Sequence, residues 1–412
     1  MSRMHTGNRA YFKALLVRTF RGVILLSQWC CTAPYPLEPY QQFTRYHRTI
    51  VCKVRRLLSG VLFGVIFAAP FVLYYLDSGQ IYVYSIPLSI KLMYYVQTAI
   101  QTGSMGYLLL VYQFRTSFHR FYFERLVCAL EDFGRPNIDA RLHALERNIR
   151  RILPAILVYI ILIVTAYILR EQSWNVLPKI VIFLATQLMS TSLTLLYVAI
   201  FGTVSILLRQ MNDTLEGILL GVPIIDKSSA NCSLVCTTPV RLTRDDERTV
   251  EKIRLLQLKL LNIVLRINGG EYGQLLIMIL LATFIFLNTE LLQLYQGIKA
   301  GAFSFAIIGS KLLNSAHKIA MLFMFAYPNR LIQTQNIRGL KVLYQLSQPG
   351  NDSRCSEIAN RFITQTTLFL EKAHEAYGMV SIDMTLLLSI IGGLTNILVV
   401  LVQFSDAKPS SA

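Results

Sequence analysis

The sequence predicts an all-α polytopic membrane protein with seven transmembrane helices, its N-terminus cytosolic and its C-terminus extracellular. Three observations carry this prediction. First, the 412 residues are 54% hydrophobic and only 15% charged, whereas soluble proteins are roughly 25% charged. Second, seven apolar runs are long enough to cross a ~30 Å hydrocarbon core as helices: residues 58–77, 86–113, 152–169, 178–208, 273–296, 302–327 and 384–404. Third, the basic residues alternate between the segments that join these runs. Of the 40 Lys and Arg, 33 fall in residues 1–57, 114–151, 209–271 and 328–383, and three in 78–85, 170–177, 297–301 and 405–412. The positive-inside rule assigns the basic set to the cytosol.

Taken in order, residues 1–57 form a cytosolic N-terminal segment. Its apolar stretch, Ala10 to Trp29, is interrupted by Lys13, Arg18 and Arg21. That pattern fits an amphipathic helix in the membrane plane, or a re-entrant piece beneath the bundle, better than a signal peptide. Residues 58–327 hold spans one to six. The second and fourth exceed the minimum length, so they tilt or run on into the cytosol. Within loop 209–271, residues 221–243 are turn-rich. Residues 244–267 set Val250, Ile253, Leu256, Leu260, Val264 and Ile267 on one helix face leading towards the fifth span. Residues 328–383 read as a linker and anchor helix, with a helix over 355–377 feeding the seventh span at 384–404. Residues 405–412 are an extracellular tail.

The net charge of +17 is accounted for by the cytosolic loops, so no nucleic-acid partner is expected. All seven cysteines lie in cytosolic segments, where thiols stay reduced. The sequons at Asn212, Asn231 and Asn351 are cytosolic too, and expected to be unmodified. Cys232 and Cys236 lack a second pair of zinc ligands. No Walker loop, HExxH, CxxC pair or nucleophile elbow is present. The chain is expected to be neither an enzyme nor dependent on a cofactor or metal; recognition and permeation remain.

Polar residues inside the spans mark where either would occur. Lys91, Glu290 and Lys311 fall in the outer half of the membrane, where a charge is costly unless it meets a cavity or a partner. Tyr94, Tyr95 and Gln97 follow Lys91, and Gln187 lies at middle depth. These seven residues are the candidates for an outward-facing ligand pocket with aromatic walls. The competing reading is a structural Glu290–Lys311 pair with Lys91 snorkelling outward; His317 and Lys318, near the cytosolic end, are read as snorkelling as well.

The seventh span carries Asn396 and Gln403 seven residues apart, hence on one face, with Val399 and Val400 between them. Two carboxamides facing lipid would go unpaired, so this face belongs to a pore or to a polar helix–helix seam. Several copies around an axis would form carboxamide rings about an apolar constriction, with Phe404 completing a gate. Asp383 and Asp406, at the two ends, would add negative rings favouring cations.

The run from Ala376 to Phe404 resembles the C-terminal signature of insect gustatory receptors. Gly378, Asp383, Leu386 to Leu388, the five hydrophobic residues Leu398 to Val402, and the Gln403–Phe404 ending match that signature. Asn396 and Ile397 stand where the family has Thr-Tyr, with a threonine displaced to Thr395. The number of spans, their orientation, the length and the long basic loop after the fourth span extend the resemblance over the whole chain. It implies a tetrameric, ligand-gated, non-selective cation channel in the plasma membrane of sensory neurons. A small-molecule tastant would open it, membrane lipid would surround it, and it would be a homotetramer or a heterotetramer with related subunits. Leu398 replaces the acidic residue that sugar receptors tend to carry after Thr-Tyr, which leans towards bitter or other non-sugar ligands. The alternatives are a related odorant receptor, a G-protein-coupled receptor, which needs an external N-terminus, and a small-solute transporter, for which internal repeats are missing.

Overall fold

Apolar runs longer than a bilayer is thick, joined by charged amphipathic stretches, fold into long helices that extend past the membrane. The computed structural model describes residues 2–34, 45–76, 88–114, 117–133, 138–171, 176–220, 244–299, 305–348, 353–372 and 375–406. The turn-rich stretch 221–243 with Cys232, Cys236 and Asn231, the connection 78–85, Asn351, and tail residues 407–412 lie outside them. In chain order the helices are α1 (Ser2–Trp29), α2 (Arg45–Leu76), α3 (Leu88–Phe114), α4 (Ser117–Phe133), α5 (Ile138–Glu171), α6 (Val176–Leu219), α7 (Arg244–Asn268), α8 (Glu271–Lys299), α9 (Phe305–Leu346) and α10 (Ser353–Lys372). A two-stranded hairpin, β1 (Glu375–Ala376) and β2 (Val380–Ser381), then precedes α11 (Met384–Asp406).

The described residues of the seven predicted spans fall within α2, α3, α5, α6, α8, α9 and α11. Among the described residues, Ile138–Leu169, Phe183–Leu219 and Glu271–Tyr295 are each long and apolar enough to cross a membrane, and Met384–Ile397 is a shorter apolar helix. The 44-residue α6 and 42-residue α9 are each more than 60 Å long at ~1.5 Å per residue. They overrun the bilayer instead of merely tilting in it. Pro328 interrupts the hydrogen-bond ladder of α9 without ending the helix.

The overrunning ends gather with α1, α4, α7 and α10 into a helical layer at one end of the bundle, the basal end. Polar ties hold it together. Arg338 is salt-bridged to Glu216 at 2.5 Å and to Asp213 at 2.9 Å, and Arg141 reaches Asp213 at 2.6 Å. Asn212 Nδ2 donates to the Gln335 carbonyl at 2.7 Å. A Cβ on Gly339 would lie 2.7 Å from Asn212 Oδ1, so glycine permits α6 and α9 to approach there. Asn212 is buried, which agrees with an unmodified sequon.

Helix α1 lies against α4, α5 and α6, with Phe12, Leu16, Phe20 and Val23 buried. One face of the predicted helix is therefore packed onto the bundle. The predicted face of α7 is buried in full, from Val250 to Ile267. Within the connection 114–151 lie α4 and the first part of α5. One expectation needs correction: the helix expected over 355–377 ends at Lys372, and Glu375–Ser381 forms the hairpin instead. Tyr377 and Gly378 have φ of 50° and 67°, a left-handed turn that reverses the chain and stops a helix.

Candidate functional site

Three features of the bundle bear on recognition and permeation. The first is a charged cluster between α3, α8 and α9. Lys311 Nζ lies 2.9 Å from Glu290 Oε2, and the Tyr94 hydroxyl donates to Glu290 Oε1 at 2.7 Å. Lys311 also contacts Gln293 Oε1. Glu290 and Lys311 are each only 7% exposed, so each neutralises a charge that would otherwise be stranded in a low-dielectric interior. The predicted pair is present. Nearby on α3, Gln97 is buried and donates to Gln101 Oε1 at 2.9 Å, while the buried Gln97 Oε1 and Gln293 Nε2 have no hydrogen-bond partner among the described residues. Tyr95 faces outward at 38% exposure. The Lys91 side chain lies outside the described residues.

The second is a neutral cluster between α5, α6 and α9, and it takes Gln187 away from the charged one. The Tyr159 hydroxyl donates to Gln187 Oε1 at 2.5 Å and lies 3.2 Å from Asn314 Oδ1. Asn314 Nδ2 points to the Tyr167 hydroxyl at 3.4 Å. His317 stacks on Tyr159 with ring centroids 4.3 Å apart, and its Nε2 is 3.1 Å from Thr191 Oγ1. Tyr167 stacks in turn on Phe183. The rings of Tyr159, Tyr167, Phe183 and His317 and the polar side chains of Gln187, Thr191 and Asn314 thus converge between three spans, the composition of a small-molecule site. Sequence reasoning found Gln187 but not Tyr159, Tyr167 or Asn314. The signal was the three-residue spacing of Lys311, Asn314 and His317 along one side of α9. Nor does Lys318 snorkel: it is buried, with Nζ 5.8 Å from the Phe286 ring centroid.

The third feature is α11. It packs on α8 and α9 through Leu387 and Ile390, both buried; a Cβ on Gly393 would come within 3.3 Å of Phe284. The opposite side is open. Asn396 and Gln403 are exposed, as are Val399 and Val400 at 50% and 47%. The side chains of Phe404 and Asp406 lie outside the described residues. Asp383 has a definite structural task at the helix start. Its Oδ1 accepts the backbone N–H of Thr385 at 2.8 Å and of Leu386 at 3.2 Å, capping α11. Burial raises the pKa of this carboxyl, but those hydrogen bonds and the Thr385 hydroxyl outweigh it and leave the value below the ordinary one.

A largely buried aromatic relay joins α4, α6, α7, α8, α9 and the hairpin before α11 at the base of the bundle. Tyr197 of α6 donates to Asn268 Oδ1 at 3.1 Å and accepts from Asn329 Nδ2 of α9 at 2.7 Å. Its ring stacks against Tyr272 of α8, which stacks on Phe118 of α4. Tyr272 also donates to the Leu193 carbonyl. Asn268 closes α7, and its own carbonyl accepts the backbone N–H of Tyr377 in the hairpin turn before α11. A Cβ on Gly273 would fall 1.7 Å from that carbonyl, so only glycine fits where the junction, α8 and the hairpin meet.

The family model described as 7tm chemosensory receptor matches residues 20–408. Among solved structures, the chain is similar to the insect olfactory receptor OR5 from Machilis hrabei, with a TM-score of 0.65 at 10% identity over 93% of this chain and 97% of that one. It is similar as well to OR5 in complex with eugenol, with a TM-score of 0.63 at 12% identity over 97% of this chain and 99% of that one. No curated protein sequence matches. At such identities the likeness is one of fold, and it makes this chain a seven-span helical membrane protein.

Proposed function

The chain belongs to the 7tm chemosensory receptor family, a family of receptors and not of enzymes, and from that premise we propose that it is a ligand-gated, non-selective cation channel of gustatory type. The observation that carries the proposal is the exposed face of α11. A spanning helix packed on one side only, with Asn396 and Gln403 on its open side, leaves carboxamides needing partners in the membrane interior. Copies of the chain arranged about an axis satisfy them across a water-filled pore. Val399 and Val400 then supply the apolar constriction, and Phe404 and Asp406 follow at the outer end, where the charge count makes the side away from the basal layer extracellular. We read the assembly as a tetramer, of one chain or with related subunits, in the plasma membrane of sensory neurons. The Gln403–Phe404 ending supports the gustatory assignment over an odorant one.

The ligand site is best read as the neutral cluster of Tyr159, Tyr167, Gln187, Asn314 and His317, with the Glu290–Lys311 pair bracing the adjoining helices. OR5 was solved with eugenol, a small phenol. A small organic tastant with one or two hydrogen-bonding groups suits aromatic walls and carboxamides alike. Because α9 carries both Asn314 and Asn329, a ligand that displaces it would pull on Asn268 and, through Tyr377, on the start of α11. The test is ligand-evoked current from cells expressing the chain, alone and with sister subunits. Gln403→Ala is expected to alter permeation or gating; unchanged currents would remove α11 from the pore.

A further inference from the structure

A cavity of about 520 Å³ opens at the basal end between α4, α7 and the α7–α8 junction, lined by Phe121, Arg125, Lys259, Asn262 and Arg266 with Gly269 and Gly270. Its lining residues belong to neither the charged nor the neutral cluster. The Phe121 ring carries two guanidiniums, with Cζ of Arg266 4.1 Å and Cζ of Arg125 5.6 Å from its centroid. They are therefore within about 10 Å of each other. Both side chains are exposed, and among the described residues neither meets a carboxylate. Lys259 is held at the same cavity by Asp132 at 2.8 Å. Three cations thus line one concavity, and two of them lie over the same aromatic ring despite their mutual repulsion.

We propose that this cavity binds a phosphate-bearing anion, with Arg125 and Arg266 forming charge-assisted bonds to phosphate oxygens and Lys259 adding a point charge. Guanidiniums are suited to such oxygens because they offer paired donors in a plane. The Phe121 ring attracts both guanidiniums, Arg266 the more closely. Asn262 supplies a neutral donor, and two successive glycines keep one wall free of side chains. Gly270 directly precedes α8, so the cavity sits at the membrane boundary. Basic pockets at that level take phosphorylated lipid headgroups, and soluble polyphosphates offer the same chemistry. The inference does not rest on the channel reading, because its test is binding and not current.

The experiment uses the purified full chain in phosphatidylcholine nanodiscs and follows the thermal unfolding midpoint, which a ligand of the native state raises. One arm incorporates phosphatidylinositol 4,5-bisphosphate, and the other adds inositol hexakisphosphate to plain nanodiscs. Stabilisation by the lipid alone identifies a headgroup site; stabilisation by the soluble anion identifies a site for free polyphosphate. In either case Arg125→Gln/Arg266→Gln should require about tenfold more ligand for the same shift, while the unliganded midpoint stays unchanged. Lys259→Gln, on a partly exposed side chain, takes its place if the double variant fails to fold. No stabilisation by either probe overturns the site. So does an equal loss in Arg147→Gln/Arg151→Gln, which would reduce the effect to bulk charge.

Discussion

The backbone N–H of Tyr377 donates a 2.8 Å hydrogen bond to the carbonyl of Asn268, fastening the hairpin that leads into α11 to the junction between α7 and α8. The side chain of Asn268 is meanwhile held by Tyr197, and Tyr197 by Asn329 of α9. One buried asparagine therefore joins the two longest helices to the root of the seventh span. Gly378, at φ 67°, makes the turn possible. Gly378→Ala is expected to cost about 1–2 kcal/mol of local stability and to reduce maximal ligand-evoked current while surface labelling stays near wild type. Tyr377→Asn, which tolerates a positive φ, should leave the current largely intact. Whole-cell recording beside surface biotinylation checks both.

The Glu290–Lys311 pair should behave as a brace. Lys311→Met alone strands a buried carboxylate, and breaking such a pair costs about 3–5 kcal/mol; surface expression should fall sharply. Glu290→Gln combined with Lys311→Met removes both charges and should recover much of that expression with the ligand response retained. Recovered expression with a lost response would instead give the pair a part in ligand binding.

Tyr159→Phe removes the hydroxyl that meets Gln187 and Asn314 but keeps the ring that stacks on His317. Losing one such hydrogen bond is worth about 1 kcal/mol. The half-maximal ligand concentration should therefore shift about fivefold without loss of surface protein, as a concentration–response series would register.

His119 of α4 lies outside the spans and is fully buried; burial pushes its pKa down to about 3 from 6.5. In the folded protein it stays neutral, whereas the unfolded chain takes up a proton once the pH falls below about 6.5. The stability associated with neutral His119 is complete above that pH and is lost as the pH falls towards 3, at about 1.4 kcal/mol per unit. His119→Phe should flatten the fall in thermal midpoint between about pH 7.5 and 5.5; an unchanged slope would show that other groups set it.

Hydropathy and charge made the seven spans legible, because run length reports membrane thickness and Lys/Arg placement reports loop side. The buried face of α7 was legible from Val250 to Ile267, since its apolar residues recur every three or four positions. Helix α4 was harder to see: Tyr122, Leu126 and Leu130, which α1 and α7 help to bury, are interspersed with Arg125, Glu124 and Asp132. The hairpin at Glu375–Ser381 has two residues per strand, and its position depends on Asn268, more than 100 residues away in the chain. The pairing of Glu290 with Lys311 could be read because buried charges seek each other. Tyr159 could not, because a tyrosine facing a carboxamide and one facing lipid look alike in sequence.

The most direct measurement is current through excised outside-out patches from cells expressing this chain, with no nucleotide in the pipette and candidate tastants applied outside. The account predicts ligand-evoked cation current, with altered permeability in Asn396→Ala and Gln403→Ala. A response that requires GTP, or currents identical in both variants and wild type, would contradict it.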